Sequence, residues 1–287
     1  KERLVTILVT PFTTCSARLP VYLILISLII PDERILGASM QGLVLMIFYL
    51  LGFAMALLAA FVLQKTLPQK NTSYFVVEMP NYRIPLLKNV LLTIIEKTKS
   101  FVLEAGKVIM AISILLWVLA SNGPGETFKN APEELAKTVS VEDSRYEQQL
   151  NAYKLEHSYL GIIGKGIEPL IRPLGYDWKI GIAIVSSFAA REVFVGTLAT
   201  IYNVGENEEE TIKKRMAAET YSDGSPVFTL ASGLSLMVFY AFAMQCMSTL
   251  AIVRKETNSW RWPTIQLVVM TAIAYLGAFV TFQYFSI

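Results

Sequence analysis

Residues 35–63 read ILGASMQGLVLMIFYLLGFAMALLAAFVL, a run with no charged side chain. A helix crosses the hydrocarbon of a bilayer with about 20 apolar residues and satisfies its own backbone hydrogen bonds while doing so. This run is long enough. Residues 224–253 and 262–287 are also free of charge. Three such runs predict an all-α integral membrane protein. Composition agrees: 54% of the 287 residues are hydrophobic, 17% are charged, and the mean hydropathy is +0.49. A soluble domain carries about 25% charged residues.

Working outward from 35–63, the run 19–30 ends at Pro31-Asp32 and is too short to cross alone. Twelve helical residues rise only about 18 Å. It must borrow residues 4–17, which brings Cys15 into the membrane. A polar connector with Pro68, Pro80 and Pro85 follows. Residues 84–104 place Lys88, Glu96, Lys97, Lys99 and Glu104 at helical intervals, the pattern of an interfacial amphipathic helix. It leads into a span at about 101–120. An acidic stretch, 121–158, precedes a glycine-rich piece, 159–175, that reads as re-entrant or interfacial. A span over 179–202 is interrupted by Arg191-Glu192, and the last spans lie at 227–253 and 262–285. The expectation is about six transmembrane helices with broken or re-entrant segments. The connector 64–99 holds six Lys/Arg and 254–261 holds three. Six simple alternating spans cannot put both on the cytoplasmic side; a re-entrant segment would repair the count, with 84–104 and 159–175 as the two candidates.

Other classes are excluded by what is missing. The net charge is +2 and no basic arm is interleaved with aromatics, so no nucleic-acid partner is expected. Cys15 and Cys246 are the two cysteines and do not suggest a disulfide framework. His157 is the single histidine, which rules out a histidine metal cluster and weakens any hydrolase reading. Gly161 to Gly166 lacks the spacing and the Ser/Thr of a phosphate loop. Lys1-Glu2-Arg3 opens the chain without an initiator Met, and reads as an internal start.

Four constellations carry chemistry. Pro11 to Pro20 gathers Cys15, Ser16 and Arg18 between two prolines that free backbone groups. Irregular backbone at membrane depth is tolerated where it lines a cavity or is buried in protein. A gate fits this, and so does a small buried cysteine with Arg18 reaching to the headgroups. In the second, Ser187 precedes Arg191 and Glu192 inside a span. Unpaired central charges cost about 2.5–3.5 kcal/mol. Neighbours on a helix diverge, so each needs its own partner. Glu192 reads as a cation ligand or as a structural cap. The third is Gln245, Cys246, Ser248 and Thr249 in mid-span. Thiol donors suit soft or borderline metals, while Ser, Thr and Gln also join membrane helices. The fourth is Glu78 in a proline-bounded turn, a ligand or a partner for Arg83.

At these motifs the chain resembles the C-terminal transmembrane domain of the ferrous iron transport protein B family. The resemblance rests on Pro11–Pro20, on Glu78-Met79-Pro80 with Tyr82 and Pro85, and on Phe101–Lys107. It continues through Ala190–Leu198, Gln245–Thr249 and Arg254–Thr257. It implies a gate-type transporter fold in the bacterial inner membrane, multi-pass, that imports Fe²⁺. By this likeness 1–63 is a membrane core, 64–89 a polar connector, 90–254 a gate-like segment with a loop over 121–178, and 255–287 the final span. Cys15, Cys246, Glu192 and Glu78 become the candidate Fe²⁺ pathway. Ser16, Arg18, Ser187, Arg191, Gln245, Ser248 and Thr249 become its support. No catalytic residue and no bound cofactor is implied for this chain. GTP and Mg²⁺ belong to an N-terminal GTPase domain that, with a first gate segment, lies outside it. Small accessory iron-transport proteins and a homo-oligomer are implied partners. Many relatives carry Pro where this chain has Gln245, which bears on whether the helix unwinds at Cys246. A gate-fold transporter of nucleosides or another small solute is the alternative. A membrane enzyme or a receptor scaffold is a more distant one.

Overall fold

The computed structural model describes residues 2–31, 33–35, 37–66, 86–124, 153–188, 193–201, 226–244 and 246–286, with single residues 132, 150, 191, 216 and 224. The first crossing is made of α1 (Glu2–Val9) and α2 (Leu19–Ile29), joined by two single 3₁₀ turns, Thr10–Phe12 and Ser16–Arg18. Pro11 and Pro20 each stand in the first turn of the element they open. Proline is tolerated there because that N–H has no intrahelical acceptor. Together the two pieces make a candidate span over Arg3–Ile29.

A two-residue ladder, β1 (Arg34–Ile35) against β2 (Ala38–Ser39), turns the chain back. Gly37 takes φ 85° at its tip. Next comes α3 (Met40–Thr66). Its buried positions Phe48, Gly52 and Ala56 fall four apart, one narrow stripe toward the protein. Leu50, Phe53, Leu57 and Phe61 stay exposed, which is the face a bilayer covers.

The helix α4 (Leu87–Ser121) merges the expected interfacial helix and the expected span into one element. No proline interrupts it. Thirty-five residues rise about 52 Å, well beyond a hydrocarbon core of about 30 Å. The charged half containing Lys88, Lys97 and Lys99 therefore extends past the membrane. The glycine-rich piece is helical: α5 (Tyr159–Ile171) followed by a 3₁₀ turn. The Ser158 hydroxyl accepts from Gly161 N at its start. Gly164 lets α5 lie against α6 (Trp178–Ser186), since a Cβ there would strike Ile182 and the Trp178 carbonyl. Gly175, at φ 81°, makes the turn between them.

After α6 come α7 (Val193–Ile201), α8 (Leu230–Phe242), α9 (Met247–Thr257) and α10 (Arg261–Phe285). A capping box between Thr229 and Ser232 starts α8. This helix is buried on nearly all sides, from Ala231 to Phe242, and packs along α10 and α2. Ser235 inside it donates to Ala278 O at 3.0 Å and shares a hydrogen bond with the Tyr176 hydroxyl at 2.9 Å. Such hydroxyls join helices where apolar burial alone gives little driving force. Among the described residues four segments are long and apolar enough to cross: Arg3–Ile29, Met40–Thr66, Leu230–Thr257 and Arg261–Phe285. The other two segments counted from sequence fall in α4 and in the α6–α7 pair.

Candidate functional site

Three interruptions of helix carry the candidate residues: Thr10–Arg18, the stretch with Phe188 and Arg191 between α6 and α7, and Ala243–Cys246 between α8 and α9. The last contains neither proline nor glycine. Its cause is an exchange of hydrogen bonds with the second. In an unbroken helix Met247 N–H would donate to Ala243 O. Instead it donates to Phe188 O at 3.3 Å. The released carbonyls are taken by Arg191, which donates to Ala243 O at 2.6 Å and to Tyr240 O at 3.1 Å. Ala243 accordingly leaves the helix, with ψ 136°. Hydrogen bonds to a charged group contribute about 1.5–3 kcal/mol each, and the carbonyl end of α8 is the favourable end for a cation. Arg191 is 5% exposed, and is thus a buried cap that holds α8 open.

Cys246 begins α9, its carbonyl accepting from Thr249 N and Leu250 N. Its thiol is 2.6 Å from the Ser248 hydroxyl. Cys246, placed in mid-span from sequence, therefore stands at a helix start, outside the first turn of α9. Ser187 is buried and donates to Ile184 O. Its neighbour Ser186 ties α6 to α7 through Thr197 at 2.8 Å.

At the first interruption Thr13 N–H returns to Thr10 O at 3.1 Å. Thr13 and Cys15 are extended, with ψ 142° and 159°. Arg18 N–H donates to Cys15 O. Helix α3 approaches this stretch at Gly52, where a Cβ would lie 2.5 Å from Thr14 Oγ1. Cys15 and Ser16 are exposed, and both cysteines are free. Arg18 is only 1% exposed. It does not reach out to headgroups; its guanidinium turns inward and donates to Pro11 O at 3.1 Å. Arg191, Tyr22, Cys15 and Tyr49 are its ionisable neighbours.

The structure thus brings Cys15, Arg18, Arg191 and, through the Arg191-capped carbonyls, Cys246 into one region of broken helix. Arg191 finds carbonyls as its partners. Glu78, Glu192 and Gln245 lie outside the described residues. Among the described residues no group of three His, Cys, Asp or Glu is placed to hold a metal. Sequence reasoning missed Tyr22, one helical turn beyond Arg18, and the Phe188 carbonyl. The four-residue spacing was a readable signal for the first. The second is a backbone group and left none.

The matched families fit this geometry. Residues 102–260, more than half of the chain, match the gate model described as nucleoside recognition. Residues 45–97 match the C terminus of ferrous iron transport protein B. The Fe(2+) transporter FeoB of Leptospira interrogans serogroup Icterohaemorrhagiae serovar Lai is 43% identical over 288 residues, covering 98% of this chain and 39% of the relative. That of Staphylococcus aureus strain MSSA476 is 32% identical over 284 residues, covering 99% of this chain and 36% of the relative. An Fe(2+) transport protein A/Fe(2+) transporter FeoB fusion protein of Porphyromonas gingivalis is 29% identical over 299 residues, covering 99% and 34%. The chain spans about two-fifths of the length of the curated relatives it matches, 39% for the first of these. No solved structure matches it. Matched from end to end by these relatives and carrying the gate segment, the chain belongs to the ferrous iron transport protein B family and represents part of its membrane domain.

Proposed function

We propose that this chain forms the membrane pathway of a ferrous iron importer, in which Fe²⁺ passes the helix breaks that carry Cys15 and Cys246. The observation that carries this reading is the coincidence of each free cysteine with an interruption of its span. Non-helical backbone at membrane depth belongs where a pathway or cavity is lined. Thiol donors beside acidic groups suit Fe²⁺ over Mg²⁺ or Ca²⁺. Glu192 and Glu78 are the acidic candidates. Successive single ligands, rather than a closed cage, let an ion bind and leave. In this reading 1–63 works as the core and 90–254 as the gate. The location is the bacterial inner membrane. GTP control comes from a GTPase domain, and a small accessory protein attends the transporter, as the Porphyromonas fusion joins the two in one chain.

Nucleoside transport is the second reading, favoured by the description of the matched gate model. Among the described residues, the groove of about 220 Å³ between α1, α3 and α10 does not favour it. Its lining includes Leu8, Phe12, Met55, Val62 and Met270, with Gln266 as a polar member. A nucleoside site needs several convergent polar groups. Proteoliposomes holding the intact protein separate the two. The expected result is uptake of Fe²⁺ under reducing conditions and none of radiolabelled uridine or adenosine. Nucleoside uptake without Fe²⁺ uptake would overturn the proposal.

A further inference from the structure

Buried polar atoms without a hydrogen-bond partner concentrate in one short stretch. Among the described residues they include Thr14 Oγ1, Arg18 Nε, Arg18 Nη1 and the Tyr22 hydroxyl. Tyr22 follows Arg18 by one helical turn, whereas Thr14 precedes them in the non-helical stretch. Arg18 and Tyr22 are 1% and 0% exposed. Among the described residues the Arg18 guanidinium makes one hydrogen bond, from Nη2 to Pro11 O, and Arg191 is an ionisable neighbour.

The chemistry of these atoms is one-sided. Guanidinium nitrogens are donors and accept nothing, and the guanidinium stays charged in proteins. Tyrosine and threonine hydroxyls can donate as well. Water would satisfy the donors but would leave the charge uncompensated. A buried, unpaired cation costs several kcal/mol. A metal ion fits worst of all, since it would add a second positive charge. The group that satisfies both donors and charge is an anion. The full burial of Arg18 and Tyr22 favours a small one.

We propose that Arg18, with the hydroxyl of Tyr22, binds a small monovalent anion of the halide class inside the first broken span. The anion neutralises Arg18, and so lowers the positive field that Arg18 and Arg191 would set against a divalent cation near Cys15. The binding site stands apart from the transport reading, because its test measures anion binding and not iron uptake.

The test uses bromide as the probe and the intact protein in nanodiscs. Sodium bromide replaces sodium gluconate at constant ionic strength, and thermal unfolding is followed. The expected result is a saturable rise in Tm of roughly 5 °C at bromide ~100-fold above half-saturation. Tyr22→Phe keeps the packing and should raise the half-saturating bromide about 10-fold. Arg18→Gln should abolish the shift. If that variant fails to fold, anomalous scattering from bromide in the unmutated protein decides: a bromine peak within hydrogen-bond distance of Arg18 is expected. A Tm that does not respond to bromide, a response unchanged in Tyr22→Phe, or a carboxylate of the protein occupying the place beside Arg18 would each overturn the proposal.

Discussion

The two cysteines sit at helix breaks of opposite character. At Cys246 the break is closed. Two carbonyls that α8 gives up where it ends, Tyr240 O and Ala243 O, are met by Arg191, and Met247 N–H is met by Phe188 O. At Cys15 the break is under-satisfied. Cys15 is exposed, and the adjoining Arg18 keeps two nitrogens without a partner among the described residues. A break whose freed carbonyls are capped by a buried cation acts as a fixed wall. One that retains unpaired donors is suited to respond to what arrives there.

The comparison predicts unequal costs. Arg191→Leu removes two charge-assisted hydrogen bonds and leaves buried carbonyls behind, so it should cost roughly 3–5 kcal/mol. Thermal unfolding in detergent would show it as a Tm drop of about 10 °C. Arg18→Leu should cost less, because it removes one such bond where Arg191→Leu removes two. Equal losses would break the comparison. A smaller effect is expected from Gly52→Val, which pushes α3 against Thr14 and costs about 1–3 kcal/mol by overpacking; a double variant with Thr14→Ala should recover part of it. Ser235→Ala should cost about 1 kcal/mol, since it removes the link between α8, Tyr176 and Ala278. The smallest effect sharpens the cysteines themselves. Ser248→Ala removes the hydroxyl beside Cys246 and should change maleimide labelling at Cys246 while leaving Cys15 unaffected. In the unmutated protein Cys15 should label faster, as the more accessible thiol.

These differences also mark what could be read from sequence. The break at Cys15 was legible because Pro11 and Pro20 bracket it, and proline states its effect locally. The run 35–63 was legible for the same reason: its signal is its own composition. The break at Ala243–Cys246 carries no local breaker. It exists because Arg191 and Phe188, more than fifty residues from Met247 in sequence for both, exchange bonds with it, and no window contains that information. Gln245 in place of proline did not prevent unwinding around it. The interfacial helix and third span were separated because their charge patterns differ, yet the backbone continues through both as α4. Arg18 illustrates the last kind of miss. Its position in the sequence fits a snorkelling side chain or a buried one equally well, and tertiary packing chose the second.

The account rests on Fe²⁺ passing both breaks, and uptake of ferrous iron by the intact protein tests it most directly. Reconstituted Cys15→Ser, Cys246→Ser and Glu192→Gln variants should each take up Fe²⁺ far more slowly than the unmutated protein while retaining its Tm. Undiminished uptake in all three would contradict it.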